Sequence, residues 1–219
     1  MPRSLETPPS RPRAKGARAA ANGDAHGRKR DAEVLEAAVK VFYEKGYSDA
    51  TVQDIADELG ILKGSLYHYI RTKEDLLFRL FETVHEQVDA LAQQVTKAEG
   101  LTPRERLELY VRLHVTYNID NLAWITVYYH DMEKLGPERL AAVRERRRDA
   151  DQLVTRLIRA AQRAGEADRS LDARLLSHCI FATIIWTYRW YRPRSGASRS
   201  TTIDTCVRYA MNGIGGTSS

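Results

Sequence analysis

Thr51-Val52-Gln53-Asp54-Ile55-Ala56-Asp57-Glu58-Leu59-Gly60-Ile61-Leu62-Lys63-Gly64-Ser65-Leu66-Tyr67-His68-Tyr69-Ile70-Arg71-Thr72-Lys73-Glu74-Asp75-Leu76-Leu77 is the stretch whose reading decides the fold. Thr51 and Asp54 form a capping box, in which hydroxyl and carboxylate satisfy each other's free backbone N–H groups, and they open a helix of about nine residues. Gly60-Ile61-Leu62 is a glycine-led turn. Gly64 to Ile70 is a second, very short helix, with Leu66 and Ile70 four apart on its inner face. Thr72 and Asp75 form another capping box and launch a long helix. Helix, tight turn and short helix make a helix-turn-helix, whose second helix enters a DNA major groove.

The residues left outside that short helix suit the task. Lys63, Ser65, Tyr67, His68 and Tyr69 offer a cation, hydroxyls, an imidazole and rings, and Gly64 lets the backbone come close to a ligand. The helix starts at Thr51 and Lys73 present N–H groups suited to phosphate. Charge narrows the site further. The chain carries 34 basic and 29 acidic residues, a net +5. Residues 1–30 hold eight basic residues and two acids, and residues 31–75 hold five and ten. Within that acidic block, Lys63–Lys73 carries Lys63, Arg71 and Lys73 and no acid. DNA binding is confined to that segment rather than spread over the domain.

Outward from the motif, the chain reads as all-α, with about nine helices. Val34, Leu35, Ala38, Val41 and Phe42 share one helical face that ends at Gly46. Leu76, Leu77, Leu80, Phe81, Val84, Val88, Leu91 and Val95 continue another for some five turns. Thr102-Pro103-Arg104-Glu105 places Thr at an N-cap, Pro at N1 and Glu at N3. Leu122–Tyr129 and Cys179–Tyr191 are rich in β-branched and aromatic residues, but no partner strand is visible, so they read as buried helices. Residues 171–191 and 199–213 read as the last two helices. Residues 1–28 hold four of the seven prolines and few large apolar residues, so they read as a disordered basic arm that adds salt-dependent phosphate affinity or is an inert tail. The domain division expected is 1–28 arm, 29–75 DNA-binding domain and 76–219 second domain.

Other classes fall away. The apolar content of 43% is too high for wholly disordered chain. Two cysteines cannot make a disulfide framework and suit a reducing cytosol. No apolar run is long enough for a membrane span, and the start lacks the apolar core of a signal peptide; a cytoplasmic protein is expected. His130, Asp131 and Glu133 have no standard helical ligand spacing, Arg144–Arg148 reads as a solvated helix face, and no motif asks for a cofactor or a catalytic constellation.

The motifs Phe42-Tyr43-Glu44-Lys45-Gly46-Tyr47, Thr51–Ala56, Lys63–Tyr69 and Lys73–Leu76 resemble the TetR-type bacterial transcriptional regulators over about residues 30–78. The resemblance implies an all-α homodimer on a palindromic DNA operator, with a second domain for a small-molecule effector and dimerisation. It carries DNA contacts onto Thr51, Lys63, Gly64, Ser65, Tyr67, His68, Tyr69 and Lys73, with Lys63 and Gly64 at bases and Thr51, Tyr67, His68, Tyr69 and Lys73 mainly at phosphates. Two departures bear on the short helix: Leu62 stands where the family often has a capping Ser, and Ile70 where it usually has Phe.

In the second domain, His114, Tyr117, Trp124, Tyr128, Phe181, Ile185, Trp186 and Arg189 are the candidate cavity wall, with Asn118 and His178 as further polar anchors. Packed core and ligand cavity remain alternatives for these residues. The Trp186–Pro193 run and the Gly60-Ile61-Leu62 turn are similar to an actinobacterial subset that represses lipid or steroid breakdown and responds to acyl-coenzyme A esters. That would place a basic rim, Arg189 and Arg192, beside an aromatic cavity. The alternative from another class is a helical-bundle enzyme or small-molecule carrier on the same fold.

Overall fold

The computed structural model describes the backbone of residues 15–193 and 196–215, and side chains from residue 29 onward. Among the described residues there is no strand. The helices are α1 (Lys15–Lys45), α2 (Val52–Glu58), α3 (Lys63–Leu66), α4 (Lys73–Lys97), α5 (Pro103–Asp120), α6 (Leu122–Asp131), α7 (Pro137–Ala164), α8 (Ala173–Ile185), α9 (Thr187–Trp190) and α10 (Arg199–Gly213). A 3-10 turn, Met132–Lys134, joins α6 to the segment before α7. The tenth helix arises because the expected 171–191 helix breaks at Trp186. Helical backbone also starts inside the expected arm: residues 15–28 are alanine-rich and follow the last proline of that region, and alanine is the strongest helix former. Residues 1–14 lie outside the described residues.

The caps read from the sequence set the helix starts. Thr51, Thr72 and Thr102 each accept from the N3 backbone N–H, and Asp54, Asp75 and Glu105 reach back to the cap's own N–H. Gly60 leaves α2 with φ +65°, a region that favours glycine. Leu62 caps α3 without any side-chain bond, and α3 is only four residues long. At the two departures, Leu62 offers α3 no side-chain cap, whereas Ile70 is buried in the first core.

Two apolar cores are strung on α4. The first joins Val34, Ala38 and Phe42 of α1, Ile55 of α2, Leu66 of α3, and Leu76, Leu80, Phe81 and Val84 of α4 with Ile125 and Tyr128 of α6. The second joins Val95, at the far end of α4, with Leu107 and Val111 of α5, Ile158 of α7, Ile180 of α8 and Val207 of α10. Leu66 is fully buried, so truncation to Ala would cost about 2–5 kcal/mol. The ends of the second core are tied by Arg104, whose guanidinium donates to the carbonyls of Glu166, Met211 and Gly215 at 2.8–2.9 Å.

Candidate functional site

The short helix and its flanks present a compact outer surface. Lys63, Gly64 and His68 are exposed, Tyr67 is half exposed, and Ser65 and Tyr69 are partly buried. A Cβ on Gly64 would meet nothing within 4 Å, so its surface is open. Thr51 is occupied by its own cap, accepting from Asp54 N at 3.1 Å and donating to Asp54 Oδ2 at 2.7 Å. Lys45 reaches the same carboxyl at 2.6 Å and, with those cap bonds, holds it at a pKa of about 2. Lys73 faces inward. Its Nζ donates to the carbonyls of Tyr47, Ser48 and Ala50 at 2.7, 3.3 and 2.8 Å and lies 4.4 Å from the centre of the Tyr47 ring. An ammonium has three N–H donors, and three carbonyls meet them here. Lys73 thus pins the α1–α2 loop against the start of α4.

The second feature is a cavity of about 330 Å³ enclosed by α4, α5, α6, α7 and α8. Its apolar wall includes Val84, Val88, Ile125, Phe181 and Ile185. His85 and Tyr128 meet on it, Nε2 to Oη, at 2.7 Å. Burial, with Arg146 and Arg147 nearby, pulls the His85 pKa down to about 4, so the ring is neutral at pH 7. His114 is likewise pulled down to about 4 by burial. One side is cationic: Arg146, Arg147, Arg148 and Arg174 line it, with Asp89 and Asp151 among them. Arg146 is paired with Asp89, and Arg147 lies over the Tyr129 ring at 5.6 Å.

Residues 100–214 match the family model for the "Tetracyclin repressor-like, C-terminal domain", and residues 34–80 match that for "Bacterial regulatory proteins, tetR family". The chain belongs to the TetR family. Its relatives include the HTH-type transcriptional repressor KstR2 of Rhodococcus jostii, 28% identical over 84% of this chain and 88% of that protein. The structure of the ketosteroid transcriptional regulator KstR2 of Mycobacterium tuberculosis superimposes with a TM-score of 0.78 at 26% identity, covering 84% of this chain and 94% of that one. AibR, solved in complex with isovaleryl coenzyme A and operator DNA, shares the fold at a TM-score of 0.75 and 22% identity, over 82% and 97% of the two chains. The family is one of DNA-binding transcriptional regulators, not of enzymes. No described helix is long and apolar enough to cross a membrane.

Of the residues expected at DNA, Lys63, Gly64, Ser65, Tyr67, His68 and Tyr69 lie on or just after α3, Thr51 caps α2, and Lys73 is engaged by backbone carbonyls. The second domain divides the expected wall. His114, Asn118, Tyr128, His178, Phe181 and Ile185 line the cavity. Tyr117 and Trp124 instead pack on the first core, Trp124 donating to Glu36 at 3.3 Å. Trp186 is 58% exposed, and Arg189 leaves the cavity to meet His130 at 2.8 Å. The cause lies in the break at Trp186: a continuous helix would align Ile185 with Arg189 four residues on, whereas here the Arg189 N–H bonds the Trp186 carbonyl three residues back at 3.0 Å. Arg192 bonds the Tyr191 carbonyl rather than the cavity. The cationic rim is Arg146–Arg148 with Arg174, part of a run that the sequence alone presents as a solvated face. His85, on α4, is another lining residue that sequence reasoning leaves out.

Proposed function

We propose that this protein is a repressor released from a palindromic operator by an acyl-coenzyme A ester bound in the arginine-edged cavity. The observation that carries this is the pairing of an apolar interior with four arginines on one side. Coenzyme A supplies phosphates that guanidinium groups bind through charge-assisted hydrogen bonds, and the acyl chain suits the apolar wall. The repressor names of the KstR2 relatives and the coenzyme A ester held by AibR agree with it.

The division of labour is 29–75 for DNA and 76–219 for effector and dimer, in a cytoplasmic protein. Lys63, Gly64, Ser65, Tyr67, His68 and Tyr69 read the operator, with Thr51 offering its helix N-terminus to phosphate. Leu175, Trp186, Trp190 and Tyr209 are large apolar residues left exposed on α8, α9 and α10 and at the α8–α9 break. They support a homodimer, which a palindromic operator requires.

The test is calorimetric titration with octanoyl-CoA, coenzyme A and octanoate, paired with gel shifts on the promoter region of the gene itself. The ester should bind and release DNA. Arg148→Ala with Arg174→Ala should weaken the ester about tenfold or more and leave octanoate within twofold. No binding by any acyl-CoA overturns the reading.

A further inference from the structure

α5 carries a line of buried polar side chains at four-residue spacing: Tyr110, His114 and Asn118. Such positions lie one above another on a single helix face. The hydroxyl of Tyr110, Nδ1 of His114 and Oδ1 of Asn118 are buried and have no hydrogen-bond partner among the described residues. Asn118 and His114 are 1% and 5% exposed and both line the cavity. A buried polar atom without a partner costs about 1–3 kcal/mol, so three on one face demand an explanation.

The donor set is fixed at one of them. Asn118 Nδ2 donates to the carbonyl of Ile184 at 3.1 Å. A carbonyl only accepts, so this bond sets the amide's orientation and leaves Oδ1 as an unfilled acceptor. A ketone, a carboxylate or a plain methylene chain offers it nothing. His114, one turn earlier, sits edge-on between Tyr110 and Phe181, with ring centres 5.5 and 6.0 Å away. A neutral imidazole carries one N–H and one lone pair. A hydroxyl is the smallest group that donates to the amide oxygen and accepts from an imidazole N–H.

We infer that the effector is a hydroxylated acyl ester, whose chain hydroxyl donates to Asn118 Oδ1 beside the His114 ring. The inference rests on the acyl-CoA reading above and sharpens it. Phe181, Ile185 and Ile125 would enclose the rest of the chain, and the arginine edge the coenzyme A phosphates. The pantetheine arm is common to every acyl-CoA, so comparison at equal chain length isolates the acyl group.

The experiment is titration of the full chain with octanoyl-CoA and with octanoyl-CoA hydroxylated at C3, C5 or C8. At least one hydroxylated ester should bind about tenfold tighter than octanoyl-CoA or more. Asn118→Leu should bring that ratio toward one. If the variant does not fold, the comparison on the native chain decides alone. Equal or tighter binding of octanoyl-CoA overturns this inference and leaves the acyl-CoA reading standing, because a buried water then fills the acceptor. Binding by none of the esters overturns both.

Discussion

Asp75 of α4 binds Arg139 of α7 through one carboxylate oxygen and caps its own helix with the other. Arg139 Nη2 donates to Oδ1 at 2.5 Å, while Oδ2 accepts from the backbone N–H groups of Thr72 and Arg71 at 2.8 and 3.1 Å. Glu74 adds to the joint by accepting from Gly136 N at 3.1 Å. The helix that lines the cavity with arginines thus grips, near its first turn, the residue that fixes the end of the DNA-reading segment.

Arg139→Ala is expected to uncouple effector from operator. Octanoyl-CoA should still bind within about threefold of the native chain, but its weakening of operator binding should shrink fivefold or more, within the usual span of coupling energies. Fluorescence anisotropy of labelled operator, with and without ester, reads both. An unchanged response would place the coupling elsewhere.

Lys73→Gln should lower the melting temperature and operator affinity without changing how affinity varies with salt. A lysine that neutralises a phosphate contributes about one to that logarithmic slope, and Lys73 is held by three carbonyls instead. Lys63→Ala should lower affinity by a direct contact and leave the melting temperature within about a degree, since Lys63 is exposed. A flattened slope in Lys73→Gln would show that the loop releases it onto DNA.

Stability should fall as pH drops from about 6.5 toward 4. His85 and His114 have folded pKa values of about 4, pulled below the ordinary histidine value by burial. Over that window the unfolded chain binds protons that the folded chain refuses. Each ring then removes up to roughly 1.4 kcal/mol per pH unit. Scanning calorimetry should show a lower melting temperature at pH 5 than at pH 7, and His85→Gln should lessen the difference. A flat profile would sink the assignment.

Deleting residues 1–28 should reduce operator affinity and flatten its salt dependence while sequence preference persists. The segment carries several arginines and few acids. Loss of preference between operator and scrambled DNA would mean that the segment reads bases.

The start of the DNA-reading unit was legible because capping is local. Thr51 with Asp54, and Thr72 with Asp75, are three residues apart, so spacing alone reveals the bond. Lys73 was not legible in this way. Its carbonyl partners lie 23 to 26 residues earlier in the chain, and only the packed loop brings them to it. The cavity was half legible for a related reason. Apolar spacing points His114, Tyr128, Phe181 and Ile185 inward, but a helix break follows no periodic rule, so Trp186 and Arg189 could not be seen to turn away. Arg146–Arg148 carry the pattern of a solvent face, and tertiary structure alone sets them beside an apolar hollow.

α4 begins in one apolar core and ends in the other, and this binds the thermodynamic fate of the two halves together. Melting the first half strips Leu76, Leu77 and Leu80 of the shared helix, and melting the second strips Val95, so heating should give a single calorimetric transition. An ester that tightens the distant cavity would then protect the DNA-reading turn from unfolding even as it lowers that turn's affinity for operator. Thermal protection and loss of repression become two readings of one binding event.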